Sequence, residues 1–455
     1  MIRFFEQLIA AIWNGLRSRR REARSESGSL DLGYRVSDEV VTKRHVTLTS
    51  RERMRHLLIL GKTGSGKSYL LRHMSEQDIE RDRGLIYFDL HGDATPFLLR
   101  VINARERCEH RHLSGKLIVI DPSDPIMSVG LNPLEAESPD FVRIAEVAEI
   151  LKRHWGLDHF GARTSELLTN SLFVLSANHL TLVELTPLLV DTRFRAACLK
   201  EVGNPEIREY FEFRYDRASE PMQATMREPI LNKLSVFTGD PKFRHIVGQV
   251  QSSFSFREAM DEGYWIIVNL AKGRLGAQAL TLGSLIFTMM TNALFARTSQ
   301  TICTVYCDEV QNFIAQGSEI ETVLSEARKT NTAMAVAHQF MDQVPAEMRS
   351  ALLSVGTQVF FQLSGPDAAQ VSQMLDGGRS LGQHLKNLPQ RHAVVKAGSD
   401  RWTEVRVPTV HEPKVDFTDL LNRVRYNRGR VRAHIERDIA ERRKRLQVNA
   451  EEDLL

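Results

Sequence analysis

Eight consecutive residues, Gly61-Lys62-Thr63-Gly64-Ser65-Gly66-Lys67-Ser68, spell the pattern G-x-x-x-x-G-K-S. Glycines at these positions let the backbone turn so that successive N–H groups converge on one anion. A lysine closing such a cradle reaches the β- and γ-phosphates of a nucleoside triphosphate, and the hydroxyl of the next residue suits Mg²⁺. ATP and Mg²⁺ are therefore the expected cofactors. Gly61 to Ser68 form the expected nucleotide-binding loop, and Ser68 is one expected metal ligand.

A second stretch supplies the complementary chemistry. Thr301 to Cys307 is a mainly apolar run that ends in Asp308-Glu309. After a phosphate loop, two carboxylates at a strand tip read as a Walker B pair. Asp308 would hold Mg²⁺, directly or through water, and Glu309 would orient and polarise the attacking water. Gln339 ends another apolar run, Ala333 to Ala337, and its amide is placed to report whether a γ-phosphate is present. Its neighbour His338 reads as a packing or hydrogen-bonding residue. Arg328, within Ser325 to Thr330, is a candidate arginine finger supplied to a neighbouring subunit's ATP. Such an arginine stabilises charge that develops in the transition state. Lys67, Glu309, Arg328 and Gln339 make up the expected catalytic set.

These residues need a scaffold that presents several strand tips side by side. Leu57 to Leu60 reads as a short buried strand entering the loop, and Tyr69 to Met74 as the helix leaving it. Leu85 to Leu90, Lys116 to Asp121 and Tyr264 to Leu270 repeat the theme of an apolar run. Gln358 to Leu363 gives the last expected strand. Buried strands separated by helical stretches predict an α/β fold with a mainly parallel sheet and helices on both faces. Between Pro133 and Phe256 the apolar spacing is helical throughout, which predicts an inserted all-helical domain. The expected organisation is 1–32, amphipathic helix and basic linker; 33–132 and 257–412, the two parts of the core; 133–256, the insertion; and 413–455, a basic helical tail.

Of the 455 residues 42% are hydrophobic, enough for an ordinary core, and the net charge of +3 does not announce a nucleic-acid binder. Any DNA contact must come from local patches. The basic residues of the insertion and the tail read either as solvated faces or as phosphate-backbone contacts. Cys108, Cys198, Cys303 and Cys307 match no zinc spacing and read as reduced packing residues of a cytosolic protein. Near the N-terminus, Phe5, Leu8, Ile9, Ile12, Trp13 and Leu16 share one helical face ahead of a basic run. That face would lie on a membrane or a partner, or pack on the protein's own surface. The expected location is the cytoplasm, with association at the inner face of the membrane as an extension of it.

Taken together, several stretches resemble the FtsK/HerA superfamily of DNA-pumping ATPases, and among them the conjugative coupling proteins of type IV secretion. The resemblance spans about His56 to Val407. It rests on the strand into the loop, on Asp89-Leu90-His91-Gly92-Asp93, on Asp308-Glu309, on Glu326-Ala327-Arg328-Lys329, on Ala337-His338-Gln339 and on Val355-Gly356-Thr357-Gln358. It implies a RecA-like P-loop NTPase core carrying an all-helical domain, assembled as a homo-hexamer, and ATP-driven movement of DNA through the ring. A relaxase, a nuclease or a secretion channel would be the partner. The rival expectation is a nucleotide-switched scaffold that recruits such a partner without moving DNA. A third is a ring that engages polypeptide for secretion.

Overall fold

The computed structural model describes residues 29–135, 141–313, 317–341, 346–398 and 401–452. The amphipathic segment near the N-terminus lies outside the described residues.

In chain order the strands are β1 (Leu30–Ser37), β2 (Val40–Leu48), β3 (Leu57–Leu60), β4 (Gly84–Asp89), β5 (Leu117–Ile120), β6 (Met127–Ser128) and β7 (Trp265–Asn269). They continue with β8 (Cys303–Asp308), β9 (Thr332–His338), β10 (Thr357–Phe360), β11 (His392–Ala397), β12 (Thr403–Arg406) and β13 (Arg430–Val431). Eleven of them form one sheet in the order β2-β1-β12-β11-β10-β3-β9-β8-β4-β7-β5. From β10 to β5 all neighbours are parallel, and from β10 to β2 all are antiparallel.

The parallel strands are buried on both faces because their side chains alternate between two cores. Leu58, Ile86, Ile266, Val305 and Val336 enter one core. Ile59, Leu85, Ile267, Tyr306 and Ala337 enter the other, against Leu70, Leu71 and Met74 of the helix Lys67–Glu80. Helices therefore cover both faces, as the spacing of apolar runs predicts.

Two of the antiparallel strands lie beyond the last strand expected from the sequence. β11 and β12 follow β10 and join it to the β1–β2 hairpin. Neither carries a long apolar run: Thr403-Glu404-Val405-Arg406 buries only Val405. A four-residue alternating strand is indistinguishable from a loop until its neighbours are known.

Between β6 and β7 the described residues form helices and turns but no strand. The long ones are Phe141–Trp155, Ala162–Ala177 and Glu220–Gly239. Their apolar faces share one continuous core with the sheet. The helix Gln278–Phe295 is the only described one long and apolar enough to cross a membrane, and it buries Leu282, Leu285, Ile286, Met290 and Leu294 in that core.

The basic C-terminal segment is a strap. Helix Thr418–Arg428 lies along the sheet edge, with Arg423 paired to Glu106 and Arg425 to Asp124. Helix Arg432–Glu452 continues onto the helical region, where Ile435 and Ile439 meet Val183 and Arg442 reaches Glu184 at 2.8 Å. Several tail arginines are thus held by acids of the same chain.

Candidate nucleotide site

The parallel strands β3, β9 and β8 lie side by side, so their C-terminal tips form one row. Leu60 is level with His338, and Asp308 with Ala337. Backbone bonds seal the row: Gly61 N–H donates to the His338 carbonyl at 3.4 Å and Glu309 N–H to the Ala337 carbonyl at 2.8 Å. With neighbouring strands about 4.8 Å apart, the phosphate loop faces the acidic pair across about 10 Å, with Gln339 between them.

The loop is held from outside. Lys62 N–H donates to the Gln362 carbonyl at 2.9 Å, and Arg391 N–H donates to the Ser65 carbonyl at 2.7 Å. Ser65 N–H and Oγ–H both turn back to the Lys62 carbonyl. The two tightest positions need glycine: a Cβ on Gly61 would sit 2.6 Å from Phe361 Cβ, and one on Gly66, at φ +129°, would sit 2.9 Å from Arg391 Cα. The first helical bond runs from Leu70 N–H to the Gly66 carbonyl at 3.1 Å. Gly66, Lys67, Ser68 and Tyr69 therefore head the helix with no preceding turn to take their N–H groups. That run of amides, with the helix dipole behind it, is an anion site.

Lys67 is 6% exposed, and its ammonium donates to the Gly61 carbonyl at 2.6 Å. Burial pushes its pKa down, opposed by the charges of Asp308 and Glu309. Burial pushes Asp308 up to about 6, the charge of Glu309 adds to this, and Lys67 opposes it. The Asp308 Oδ1 atom is shielded from solvent and has no hydrogen-bond partner. A carboxylate oxygen buried without a donor suits a cation, and the exposed Ser68 stands at the facing helix start, so the donor set fits Mg²⁺. Glu309 sits in the left-handed region at φ +58°, and its Oε2 accepts from Gln311 Nε2 at 2.6 Å. Gln339 is half-buried, and its Oε1 accepts from the Thr63 hydroxyl at 3.0 Å.

Arg328 stands elsewhere. It is exposed near the C-terminus of helix Gly317–Lys329, which leads into the start of β9. The phosphate loop is at the opposite end of the strands, on the order of 20 Å away. His56 ties helix Gly317–Lys329 and β9 to the entry of β3 at this end of the sheet. It is buried at the entry to β3, with Nε2 2.6 Å from the Leu324 carbonyl and Nδ1 accepting from Met334 N–H at 3.2 Å.

Asp89, in the Asp-Leu-His-Gly-Asp stretch, is fully engaged in local structure. It accepts from Gly92 N–H, Thr95 N–H and Thr95 Oγ–H at 2.7–2.8 Å, the last two in the first turn of the helix Ala94–Glu109. The basic turn Lys272–Leu275 follows β7, four strands from β3 and thus about 19 Å along the sheet from the loop. Sequence reasoning missed Thr63 as a partner of Gln339, the bridging role of His56 and the contact of Arg391 with the loop. The first two depend on pairings across more than 260 residues, and nothing in the sequence marks them.

The arrangement can be compared with known proteins. The family model "Helicase HerA, central domain" matches residues 39–157. Among solved structures, the unbound bacterial conjugative coupling protein TrwB, lacking its N-terminal 70 residues, superposes with a TM-score of 0.58 at 16% identity, over 87% of this chain and 92% of that one. The chain shares its fold with this coupling protein. TrwB in complex with ADP and Mg²⁺ gives a TM-score of 0.56 at 15% identity, covering 87% and 93% of the two chains. VirB4 of Thermoanaerobacter pseudethanolicus gives 0.56 at 14% identity, covering 85% and 98%. No curated protein sequence matches the chain. The row of tips follows from the strand order, in which β9 separates the loop strand from the acidic strand.

Proposed function

We propose that this chain is an ATP-hydrolysing motor of the type IV secretion and conjugation kind that moves DNA through a ring of identical subunits. One observation carries the reading: the phosphate loop with Lys67, the acidic pair Asp308-Glu309 and the amide of Gln339 converge on one row of strand tips. The fold it shares with TrwB, a protein seen with ADP and Mg²⁺, supports the choice of ligand.

In this reading the amides of Gly66 to Tyr69 and the Lys67 ammonium bind the phosphates. Asp308 and Ser68 hold Mg²⁺, which would neutralise charge developing on the phosphate oxygens. Glu309 accepts a proton from the attacking water as the bond from the γ-phosphorus to its bridging oxygen breaks. Gln339 contacts the γ-phosphate before cleavage and loses that contact after it. Arg328 is too far from its own loop to act there and serves the site of the adjoining subunit, which requires a ring.

The test is ATP turnover with and without DNA, paired with displacement of a third strand from triplex DNA. Glu309→Gln should bind ATP with near-normal affinity and hydrolyse it at least about 100-fold more slowly. ATP-dependent triplex displacement by the unaltered protein supports the motor. Hydrolysis without displacement rejects DNA movement in favour of a nucleotide-switched scaffold.

A further inference from the structure

We infer that Tyr69, backed by Arg391, is the platform on which the base of the bound nucleotide stacks. The inference rests on the nucleotide reading above and assigns the end of the site that the phosphate-binding motifs leave undescribed.

The polarity of the site fixes where the base must go. The acids and the Gln339 amide occupy one end, by the tips of β8 and β9, where the terminal phosphate belongs. The free amides run the other way, from Gly66 along the first turn, and the last of them is that of Tyr69. The phosphate nearest the sugar lies at that end, so sugar and base leave the loop beside the Tyr69 side chain.

What stands there is an aromatic ring open to solvent. Tyr69 is 39% exposed, beside the exposed Ser68, in a helix whose next two residues are core. The guanidinium of Arg391 lies over its ring, 5.8 Å from the centroid. Arg391 is itself fixed in an uncommon geometry. Its φ is +67°, its N–H donates to the Ser65 carbonyl at 2.7 Å, and its carbonyl accepts from Val407 N–H at 2.8 Å. Its Nη1 also bonds the Thr409 hydroxyl. A non-glycine residue in the left-handed region persists only where its surroundings over-determine it, and such residues cluster at functional sites. Here the strained backbone ties the β11 entry to the phosphate loop and holds a planar cation on one face of the tyrosine. The part of Tyr69 left open to solvent is where a second planar group would stack. Every nucleobase presents a π-face, so stacking of this kind is tolerant of base identity.

The experiment measures binding of ATP, GTP and inorganic tripolyphosphate, each with Mg²⁺, to the full chain and its variants. In the unaltered protein, ATP and GTP should bind within about threefold of each other and at least about tenfold more tightly than tripolyphosphate. Tyr69→Ala should weaken ATP and GTP about tenfold and leave tripolyphosphate unchanged, whereas Tyr69→Phe should keep all three affinities. Arg391→Asn, which tolerates the left-handed backbone, should weaken the nucleotides about threefold and spare tripolyphosphate. Unchanged ATP affinity in Tyr69→Ala, or an equal loss for tripolyphosphate, overturns the platform while leaving the nucleotide reading standing. An unaltered protein that binds none of the three overturns both.

Discussion

The hydroxyl of Thr63, at the crest of the phosphate loop, donates to the side-chain oxygen of Gln339 at 3.0 Å. The bond spans 276 residues of sequence and joins the loop to the strand that separates it from the acidic pair. With its oxygen engaged by Thr63, the Gln339 amide keeps both N–H groups for another partner, and these suit a phosphate oxygen. Gln339→Ala should therefore lose discrimination between ATP and ADP. The ATP affinity should fall about tenfold, the ADP affinity should change less than twofold, and turnover should fall with ATP binding. Thr63→Val should show a milder form of the same loss. Equilibrium titration with both nucleotides checks this, and an equal loss for ATP and ADP would make Gln339 a mere prop for the loop.

Buried histidines make the stability of the chain fall in mild acid. Burial pushes both His56 and His338 down to about 4, with the charge of Arg328 adding at His56 and that of Lys67 at His338. His154 is also pushed down to about 4, chiefly by burial. In the unfolded chain each takes up its proton near 6.5. Between those values the unfolded state binds more protons, so stability rises with pH across the window and this contribution is complete above about 6.5. Each fully buried histidine adds a slope of at most about 1.4 kcal/mol per pH unit. Urea unfolding at pH 7.5 and pH 5.5 should differ clearly in midpoint, and His56→Gln should flatten the difference. A midpoint independent of pH over that range would contradict the neutral, buried state of these rings.

Much of this site is readable from residue types alone because the chemistry leaves few alternatives. Gly61 and Gly66 are glycines because Phe361 and Arg391 leave no room for a Cβ, and the apolar runs that lead into the phosphate loop and into Asp308-Glu309 could only be buried strands. The order of those strands was not readable. That β9 lies between β3 and β8 is a tertiary fact, and without it neither the Thr63–Gln339 bond nor the bridge through His56 can be foreseen. The β11–β12 hairpin escaped notice because its residues alternate or carry charge, as suits strands partly exposed to water. Arg391 gives no local sign of its left-handed backbone, which only the packing against the loop explains.

Behind the phosphate loop, Arg53 and Asp78 form a buried ion pair that locks the loop helix to the acidic strand. Arg53 Nη1 donates to Asp78 Oδ1 at 2.8 Å, Tyr306 Oη–H donates to Asp78 Oδ2 at 2.6 Å, and Asp78 has no solvent exposure. Removing one partner leaves the other charge buried and unpaired, which costs about 3–5 kcal/mol. Asp78→Ala should lose that much in chemical unfolding, and Tyr306→Phe about 1 kcal/mol. The paired replacement Arg53→Met with Asp78→Leu should be less destabilised than Asp78→Ala alone. If the double variant is the weaker protein, the pair stabilises the fold beyond satisfying its own burial.

The position of Arg328 sets the last test. It lies near the start of β9, whereas its own phosphate loop lies past the other end of the strands, so no side-chain rotation brings the two together. A role in hydrolysis therefore has to be exercised on another copy of the chain. Mixing tests this without ambiguity. Subunits carrying Arg328→Ala keep an intact loop, and subunits carrying Lys67→Ala keep an intact arginine. Each variant alone should be inactive. Mixed assemblies should regain part of the turnover, because some interfaces then pair an intact loop with an intact arginine. Arg328→Ala should also leave nucleotide affinity within about threefold, since an arginine finger acts on transition-state charge rather than on ground-state binding. If Arg328→Ala alone turns over ATP at the normal rate, the arginine has no part in hydrolysis. If the mixtures stay inactive while both variants assemble normally, the arginine acts within its own subunit's structure and the shared site is rejected.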